Sequence, residues 1–386
     1  MRVVHLSTIH DALDIRIFMK ECRTLAAFGY EVHLIVQNPP VSHKEGVKFW
    51  PLDVDLSKGK LKQFWQRYTQ ICRIAWQLNA NIYHFHDPEL ILLGLFLKLK
   101  GAYVIYDVHE DASQEAITLN KKNPIWGFYK YIIFWLLETV AKKILDAFVC
   151  VTPSIKSKFP TGKAWLVQNF PMEEEIQAYG QSLIDYPERQ YKIIYVGGIT
   201  EIRGINEVLE ALSQFSNDID CQLLLLGKFV PLSLRFELEK YNGWKRVEYL
   251  GWCDRSSMIQ HMGLARSGLV LFHPEPDHME AIPNKLFEYM AAGLPVIASD
   301  FPKWRQIINE LNCGLVVNPI DSTAIASAIQ YILDYPKLAQ VMGENGRKAV
   351  VEKFNWSNEA KSLLKLYESL GSTLEARIKY KNAKVD

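Results

Sequence analysis

The chain has 386 residues, of which 49% are hydrophobic and 23% charged, and its formal net charge is +1. This length predicts two or three domains, and the composition is ordinary for a soluble globular protein. The near-zero charge gives no bulk attraction to nucleic acid, so a nucleic-acid partner is not expected.

Six cysteines are scattered along the chain without a CxxC pair. This favours buried thiols in a reducing compartment over a disulfide framework or a zinc site. The first residues enter a strand-like run without the basic and apolar segments of a leader, which indicates a cytoplasmic protein. The longest apolar runs, residues 90–97 and 131–137, are well below the roughly 20 residues that span a bilayer.

Short apolar strands alternate with amphipathic helical stretches twice along the chain. This pattern predicts an α/β protein with two doubly wound, Rossmann-like domains, each built on an open parallel sheet. The polar segment 172–189 is predicted as a linker between domains 1–171 and 190–355. The predicted strands cover residues 3–7, 32–36, 82–86, 103–106 and 148–151, and then residues 193–196, 223–226, 247–250, 269–272, 296–298 and 315–317.

Polar side chains follow several predicted strands of the first domain. Asp14 and Arg16 lie after the first strand, where a buried pair that holds the loop is as reasonable as a ligand role. His86 and His109 follow two later strands, and a histidine there can donate a hydrogen bond to a sugar hydroxyl or a phosphate oxygen. Structural roles stay open for both. Histidines and acids cluster here, but no tetrahedral or facial metal-ligand spacing is visible.

Residues 124–143 are aromatic and basic, and lysines at positions 121, 122, 142 and 143 flank them. Such a helix can rest in a membrane interface, with its rings at headgroup level and its lysines on anionic lipid. An ordinary packed helix of the first domain is the alternative.

A glycine-containing loop, Tyr-Val-Gly-Gly-Ile-Thr-Glu-Ile-Arg-Gly over residues 195–204, follows the first strand of the second domain. Gly197 and Gly198 let the backbone come close to a diphosphate, and Arg203 offsets its charge. The loop lacks the third spaced glycine of a dinucleotide fingerprint. A plain strand-to-helix turn is the alternative interpretation.

The most informative stretch is residues 280–298, Glu-Ala-Ile-Pro-Asn-Lys-Leu-Phe-Glu-Tyr-Met-Ala-Ala-Gly-Leu-Pro-Val-Ile-Ala. Pro283 suits a first helical turn, Asn284 is predicted to cap its free amides, and Lys285 adds a cation beside amides that attract anions. Glu280 is predicted in the loop ahead and Glu288 inside the helix. The two carboxylates are therefore expected to have different roles.

These two glutamates and the Tyr-Met-Ala-Ala-Gly-Leu-Pro-Val-Ile run resemble the donor-site signature of the retaining nucleotide-sugar glycosyltransferases of family 4 (group 1). The resemblance covers most of the chain and is strongest over residues 191–317. It implies the GT-B fold, in which two Rossmann-like domains face a cleft that holds the active site. It also implies that the last helix, in residues 356–386, crosses back to the N-terminal domain.

By this resemblance, Glu280 lies by the transferred sugar and Glu288 hydrogen-bonds the ribose. His109 would contact the donor sugar and phosphate, so His109 and Glu280 are the expected catalytic residues. The turn that contains Trp252 would recognise the nucleotide base through its backbone. Donor-binding roles are thus implied for Gly197, Gly198, Arg203, Asn284, Lys285, Glu288 and Trp252.

The chain departs from the family pattern in two loops. The arginine expected directly after the first loop glycine is Gly198, and the lysine expected further on is Arg203. The loop with Asp14 and Arg16 lacks the usual glycine pair, although a branch with a similar Asp-x-Arg-Ile-Phe run exists. The first departure leaves the phosphate clamp half filled unless Lys285 or Lys228 contributes, and the second obscures the acceptor contacts.

The function implied is the transfer of a hexose from a nucleotide diphosphate sugar to a hydroxyl acceptor with retention, in cell-surface polysaccharide or glycolipid assembly. No cofactor or metal is expected. The expected partners are the donor, a lipid-linked or saccharide acceptor and the inner membrane face, where the enzyme would be peripheral. Two alternatives stay open, namely a nucleotide-sugar 2-epimerase of the same fold and a catalytically silent partner subunit.

Overall fold

The computed structural model describes residues 1–55, 57–110, 113, 123–216 and 218–382. The chain divides into two compact units. The first comprises Met1–Asn169 together with Ser357–Asp386, and the second is Phe170–Trp356. The chain therefore leaves the first unit once and returns to it with its last helix.

The first unit is built on an eight-stranded sheet. Its neighbouring strands run parallel except for one antiparallel pair at the edge. The strand order reverses direction between Arg2–Asp11 and Ile82–Phe85, and ligand crevices form at such a switch point. In spatial order the strands are His43–Lys44, Val47–Leu52, Glu31–Gln37, Arg2–Asp11, Ile82–Phe85, Tyr103–Val108, Ala147–Cys150 and Ala164–Leu166.

Helices connect these strands. A π-helix, Ile15–Cys22, continues into the α-helix Arg23–Ala27, and the 3₁₀ turn Pro88–Leu90 continues into the α-helix Ile91–Leu99. The other described helices with bounds in this unit are Lys60–Leu78, Pro124–Ile144, Pro153–Ser157 and, from its second residue, Trp356–Asn382.

The second unit is built on a six-stranded sheet in which all neighbours are parallel. The spatial order is Val247–Gly251, Gln222–Leu226, Lys192–Val196, Ser267–Val270, Val296–Ser299 and Gly314–Val317. This is the doubly wound order of dinucleotide-binding sheets, with the switch point between the third and fourth strands of that list.

The α-helices of this unit are Glu173–Gln181, Ile205–Ser213, Leu234–Leu238, Arg255–Leu264, Pro276–Glu280, Asn284–Ala291, Pro302–Leu311, Ser322–Asp334 and Pro336–Glu352. Three 3₁₀ turns lie at Tyr186–Glu188, Glu201–Arg203 and Asn242–Arg246. Successive residues of the central strand point to opposite helical layers. Ile193 and Tyr195 pack in one core and Ile194 in the other. A sheet buried on both faces holds the loops at its strand ends firmly.

Every predicted strand overlaps an observed one, and the fold class is confirmed. Three strands were not predicted, His43–Lys44, Val47–Leu52 and Ala164–Leu166. All three lie at or near a sheet edge, where a continuous apolar run is not required. Among the described residues, no helix combines the length and the apolar character needed to cross a membrane.

The segment 172–189, predicted as a linker, forms structure that belongs to the second unit. It contains the helix Glu173–Gln181. Glu175 accepts a hydrogen bond from the Met172 amide at 2.8 Å, which closes the first turn. Ile176 and Tyr179 are buried. The segment contains a short amphipathic helix that its polar composition did not indicate.

Candidate functional site

The glycine loop leaves the carboxyl end of the central strand of the second sheet. Gly197 has a φ of +133° and Gly227 a φ of +146°, and a Cβ on Gly227 would lie 1.8 Å from the Gly197 carbonyl oxygen. Only glycine fits there. Arg203 Nη1 lies 3.4 Å from the Gly198 carbonyl oxygen. The loop thus places a guanidinium against half-buried backbone beside the switch point.

The helix Asn284–Ala291 begins close to the predicted position. Pro283 occupies the N-cap position with φ −72° and ψ 140°, and Asn284 is the first helical residue. The prediction that Asn284 caps the helix is therefore wrong, because proline fixes the backbone break ahead of it. No cap side chain hydrogen-bonds the first-turn amides. These amides can donate to an anion.

A chain of charges crosses this helix. Glu288 is buried, and it accepts hydrogen bonds from Lys285 Nζ at 2.6 Å and from Arg255 Nη1 at 3.0 Å. Arg255 also lies 2.6 Å from Glu175. Burial alone would raise the pKa of Glu288, but Lys285 and Arg255 hold that pKa below its ordinary value. Glu288 therefore stays ionised at neutral pH.

Lys285 also reaches the glycine loop. Its Cε lies 3.7 Å from the position that a Cβ on Gly197 would occupy. The structure thus brings together five of the predicted residues at the switch point of the second sheet, namely Gly197, Gly198, Arg203, Lys285 and Glu288. Arg255 and Glu175 were not predicted, because they join the group through tertiary contacts alone.

In the first unit, Asp107 contacts the side chains of Arg16, His86 and His109. Arg16 donates to both of its oxygens, from Nε at 2.9 Å and from Nη2 at 2.8 Å. His86 Nδ1 and His109 Nε2 lie 3.0 and 2.9 Å from Asp107 Oδ2. Burial would raise the pKa of Asp107, but Arg16 and His109 hold it well below its ordinary value. Asp107 was not predicted, although it lies two residues before His109, which was predicted.

The two histidines differ in access. His86 is fully buried between Asp107 and the interior, whereas the His109 side chain is 24% exposed. Only His109 can present a ring edge to a ligand in this arrangement. The buried position of His86 fits a structural role, in which it holds the Asp107 carboxylate in place.

The side chains of Asp14 and Arg16 do not form a buried pair, which was one of the two predicted roles. Asp14 accepts hydrogen bonds from the Arg16 and Ile17 amides, both at 2.8 Å, and so caps the π-helix. The Arg16 side chain instead reaches Asp107. Burial would raise the pKa of Asp14, but its bonds to His10 and to these amides lower it to about 2. Because the Asp14 carboxylate hydrogen-bonds to nearby backbone amides, it does not pair with the Arg16 guanidinium. That guanidinium can therefore reach Asp107.

Family models match both halves of the chain. The model for "Glycosyl transferases group 1" matches residues 184–349, and the model for "Glycosyltransferase Family 4" matches residues 16–161. The chain belongs to the group 1, family 4 glycosyltransferases. The first match contains the glycine loop and the Lys285 helix, and the second contains the Asp107 cluster.

Individual relatives are more distant. A phosphatidyl-myo-inositol mannosyltransferase of Mycobacterium leprae is 28% identical over 193 residues, which is 50% of each chain. The chain spans about half the length of this and another curated relative that it matches.

Solved structures show the GT-B fold over nearly the whole chain. Sucrose-phosphate synthase from Thermosynechococcus elongatus has a TM-score of 0.76 at 20% identity, with 96% of this chain and 99% of that chain covered. Anabaena HepE in complex with UDP-glucose has a TM-score of 0.70 at 11% identity, with 96% and 100% covered. At such identities the likeness concerns the fold alone.

Two further predicted residues of this glycosyltransferase lie at the surface of the second unit. Glu280 ends the short helix Pro276–Glu280 and is not in a loop as predicted. Lys303 Nζ donates to its carboxylate at 2.5 Å and to its carbonyl oxygen at 3.1 Å. Trp252 is 68% exposed, and Lys228 Nζ lies 5.8 Å from the centre of its ring.

The helix Pro124–Ile144 of the glycosyltransferase is mostly exposed. Gly127, Glu138 and Ala141 are its buried residues. Lys142 Nζ lies 4.5 Å above the Phe159 ring, while Lys121 and Lys122 lie outside the described residues. The large apolar residues exposed on this helix are Ile125, Trp126, Phe128, Tyr129, Ile132, Ile133, Trp135, Leu136, Val140 and Ile144. The extent of this exposed apolar surface does not match the alternative of an ordinary packed helix.

Proposed function

We propose that this glycosyltransferase moves a hexose from a nucleotide diphosphate sugar to a hydroxyl acceptor with retention of anomeric configuration. The observation that carries the proposal is the cationic, amide-rich group at the switch point of the second sheet. It consists of the glycine loop, Arg203, the start of the Asn284–Ala291 helix, Lys285 and Glu288.

This group suits a departing nucleoside diphosphate. The glycine backbone allows close approach of the phosphates, and Arg203, Lys285 and the first-turn amides stabilise the charge that develops on the leaving oxygen. Glu288 is an ionised acceptor for the ribose hydroxyls. Lys285 is already held by Glu288 at 2.6 Å, so it is oriented before the donor binds.

The missing loop arginine is compensated within the same loop. A Cβ on Gly198 would lie 3.2 Å from Arg203 Nη1. The guanidinium of Arg203 therefore occupies the space into which a side chain at position 198 would extend. This supports an intact phosphate clamp, and it argues against a catalytically silent partner subunit.

His109 and Glu280 are the proposed contacts to the transferred sugar. Asp107 holds the His109 ring at 2.9 Å while leaving its edge partly exposed. Glu280 is exposed and forms an ion pair with Lys303. This pair orients the carboxylate, which stays accessible to solvent. The chemistry needs no added metal, because cations and amides are present where charge develops.

The proposed acceptor is lipid-linked or a surface saccharide at a membrane. The exposed apolar side of the Pro124–Ile144 helix supports this, since contiguous apolar surface marks an interaction site. Its tryptophans and tyrosines are suited to the headgroup level. The mannosyltransferase of Mycobacterium leprae carries a lipid, phosphatidyl-myo-inositol, in its name.

A donor panel tests the reaction. Purified protein is incubated with UDP-, GDP- and ADP-sugars, with and without membrane extract, and nucleotide release and product anomer are measured. Acceptor-dependent release with an unchanged anomer is expected. Binding of nucleotide without release from any donor would contradict transfer and favour the silent subunit. A new sugar formed from donor alone would favour the epimerase.

Liposome flotation tests the membrane site. Trp126→Ser with Trp135→Ser removes two half-exposed indoles. The double variant should lose about 2 kcal/mol of membrane affinity, roughly 30-fold, on vesicles of phosphatidylcholine and phosphatidylserine. Phe236→Ser, which removes an exposed aromatic ring from the second unit, is the matched control. Equal flotation of the double variant and the control would place the acceptor contact elsewhere.

A further inference from the structure

A second group of polar side chains lies in the interior of the first unit. The parallel register places His5 beside His84 on adjacent strands. His86 lies two residues beyond His84, so it shares the same sheet face. Glu21 enters from the π-helix, and all four residues are buried. One ligand atom from each lies within 4.8 Å of every other.

Three polar atoms of this group have no hydrogen-bond partner in the described part of the protein. Neither carboxylate oxygen of Glu21 has a hydrogen-bond partner among the described residues, and neither does His84 Nε2. Arg16 Nη2 lies 3.1 Å from Glu21 Oε1 as a charge partner. Glu21 Oε2 lies 3.8 Å from His84 Nδ1 and 4.0 Å from His5 Nδ1. Buried carboxylate oxygens without hydrogen bonds are costly, so they point to an unfilled ligand role.

We propose that His5, Glu21, His84 and His86 bind a divalent transition metal of the zinc class. Three imidazoles and one carboxylate are the ligand types that suit the tetrahedral coordination of Zn²⁺ or Co²⁺. The site goes beyond the sugar transfer proposed above.

The outer contacts of two histidines are those of metal ligands. His86 Nδ1 lies 3.0 Å from the Asp107 carboxylate, and His5 Nε2 lies 3.3 Å from the Tyr367 hydroxyl. Ligating histidines usually engage such oxygens through the nitrogen opposite the metal. The opposite nitrogens, His5 Nδ1 and His86 Nε2, face each other at 2.9 Å. At this distance either one nitrogen carries a proton and donates it to the other, or a cation lies between them.

The burial of all four ligands assigns the ion a structural role. A catalytic ion needs an open coordination position, whereas a structural ion is enclosed by protein. A second possible ligand group, His86, Asp107 and His109, shares one histidine but includes the partly exposed His109. The two locations can be separated, because Glu21 belongs to the first group alone and His109 to the second alone.

Metal analysis of the full chain tests the site. Protein purified without a metal-affinity column is loaded with zinc, passed over a chelating resin and analysed by mass spectrometry for metals. About one zinc per chain should remain, and cobalt-loaded protein should show the visible absorption of tetrahedral cobalt. Glu21→Gln and His84→Asn should retain less than about a tenth of this zinc. The control, His109→Asn, should retain all of it.

The wild-type protein alone can overturn the proposal, even if the variants fold poorly. Folded wild-type protein that keeps less than about a tenth of a zinc ion per chain after loading contradicts it. Loss of zinc in His109→Asn, with retention in Glu21→Gln, would assign the ion to the other group and also overturn it. Zinc should raise the melting temperature of the wild type and leave that of Glu21→Gln unchanged.

Discussion

Replacing Glu288 with glutamine separates the structural and ligand roles of the donor helix. The carboxylate is buried and holds Lys285 and Arg255 at 2.6 and 3.0 Å. Glutamine keeps the shape but turns an amide donor toward one of these cations. Removing one partner of a fully buried pair costs about 3–5 kcal/mol. Here Lys285 and Arg255 are 27% and 34% exposed, so water can solvate them. We therefore expect Glu288→Gln to lower the free energy of unfolding by about 1.5–3 kcal/mol.

Glu280→Gln is the matched control for this stability measurement. Glu280 makes the same kind of ion pair, with Lys303, but its side chain is 64% exposed. Surface pairs contribute about 0–1 kcal/mol, so this variant should unfold in urea almost like the wild type. Both variants should nevertheless transfer sugar more slowly. Equal unfolding curves for the two variants would refute the description of Glu288 as a buried, paired carboxylate.

Nucleotide binding measured by calorimetry completes this test. The loss of one charge-assisted hydrogen bond to ribose should weaken binding of the donor nucleotide by about 1.5–3 kcal/mol, or roughly 10- to 150-fold, in Glu288→Gln. The nucleotide is the one that the donor panel identifies. Wild-type affinity in this variant would move the ribose contact to another residue.

The stability difference should depend on pH. The folded-state pKa of Glu288 is lowered by Lys285 and Arg255, against the opposing effect of burial. Its contribution to stability is therefore complete above about pH 5, and it is lost as the pH falls through that lowered value. The gap between the wild type and Glu288→Gln should be widest near neutral pH and should close in acid. A constant gap down to pH 3, measured by urea unfolding, would contradict the lowered pKa.

Three further outcomes are expected. Arg203→Ala should weaken nucleotide binding more than Lys228→Ala, because the Arg203 guanidinium lies against the glycine loop whereas the Lys228 ammonium lies over the Trp252 ring. Equal dissociation constants would place the phosphates elsewhere. Asp107→Asn should cost about 3–5 kcal/mol in urea unfolding, since it removes the carboxylate that accepts two hydrogen bonds from the buried Arg16, whereas His109→Gln should cost less than about 1 kcal/mol and still slow transfer. Added magnesium or manganese should not raise the turnover of the wild type, and activation by either ion would contradict a clamp made of side-chain cations and amides.

The local sequence was sufficient to predict the central strands and the glycine loop. Their signals are contiguous, since a parallel strand is an apolar run and a phosphate-binding turn needs glycines at its end. Asn284 shows where local inference reached its limit. Its side chain suits a cap, but the proline before it determines where the helix begins, which only the backbone geometry reveals.

Residues that depend on tertiary contacts were out of reach. Arg255 meets Glu288 across 33 positions, and Arg16 meets Asp107 across 91. No periodicity links such pairs. Asp107 itself lies within a fully buried strand, where the apolar pattern masks a single acid. The signal that identifies it is its position two residues before His109, which places both side chains on one face of the chain.

The return of the last helix to the first unit has a consequence for biosynthesis. Tyr367 is buried there, with its hydroxyl 2.9 Å from His84 Nδ1 and 3.3 Å from His5 Nε2. The ribosome must add 367 − 169 = 198 residues after Asn169 before Tyr367 is in the chain. At about 5–20 residues per second this takes roughly 10–40 s. During this interval Phe170–Trp356 emerges whole, whereas the unit begun first still lacks its closing helix. The second unit can therefore complete its fold before the first, which departs from the usual N-terminal-first order of co-translational folding.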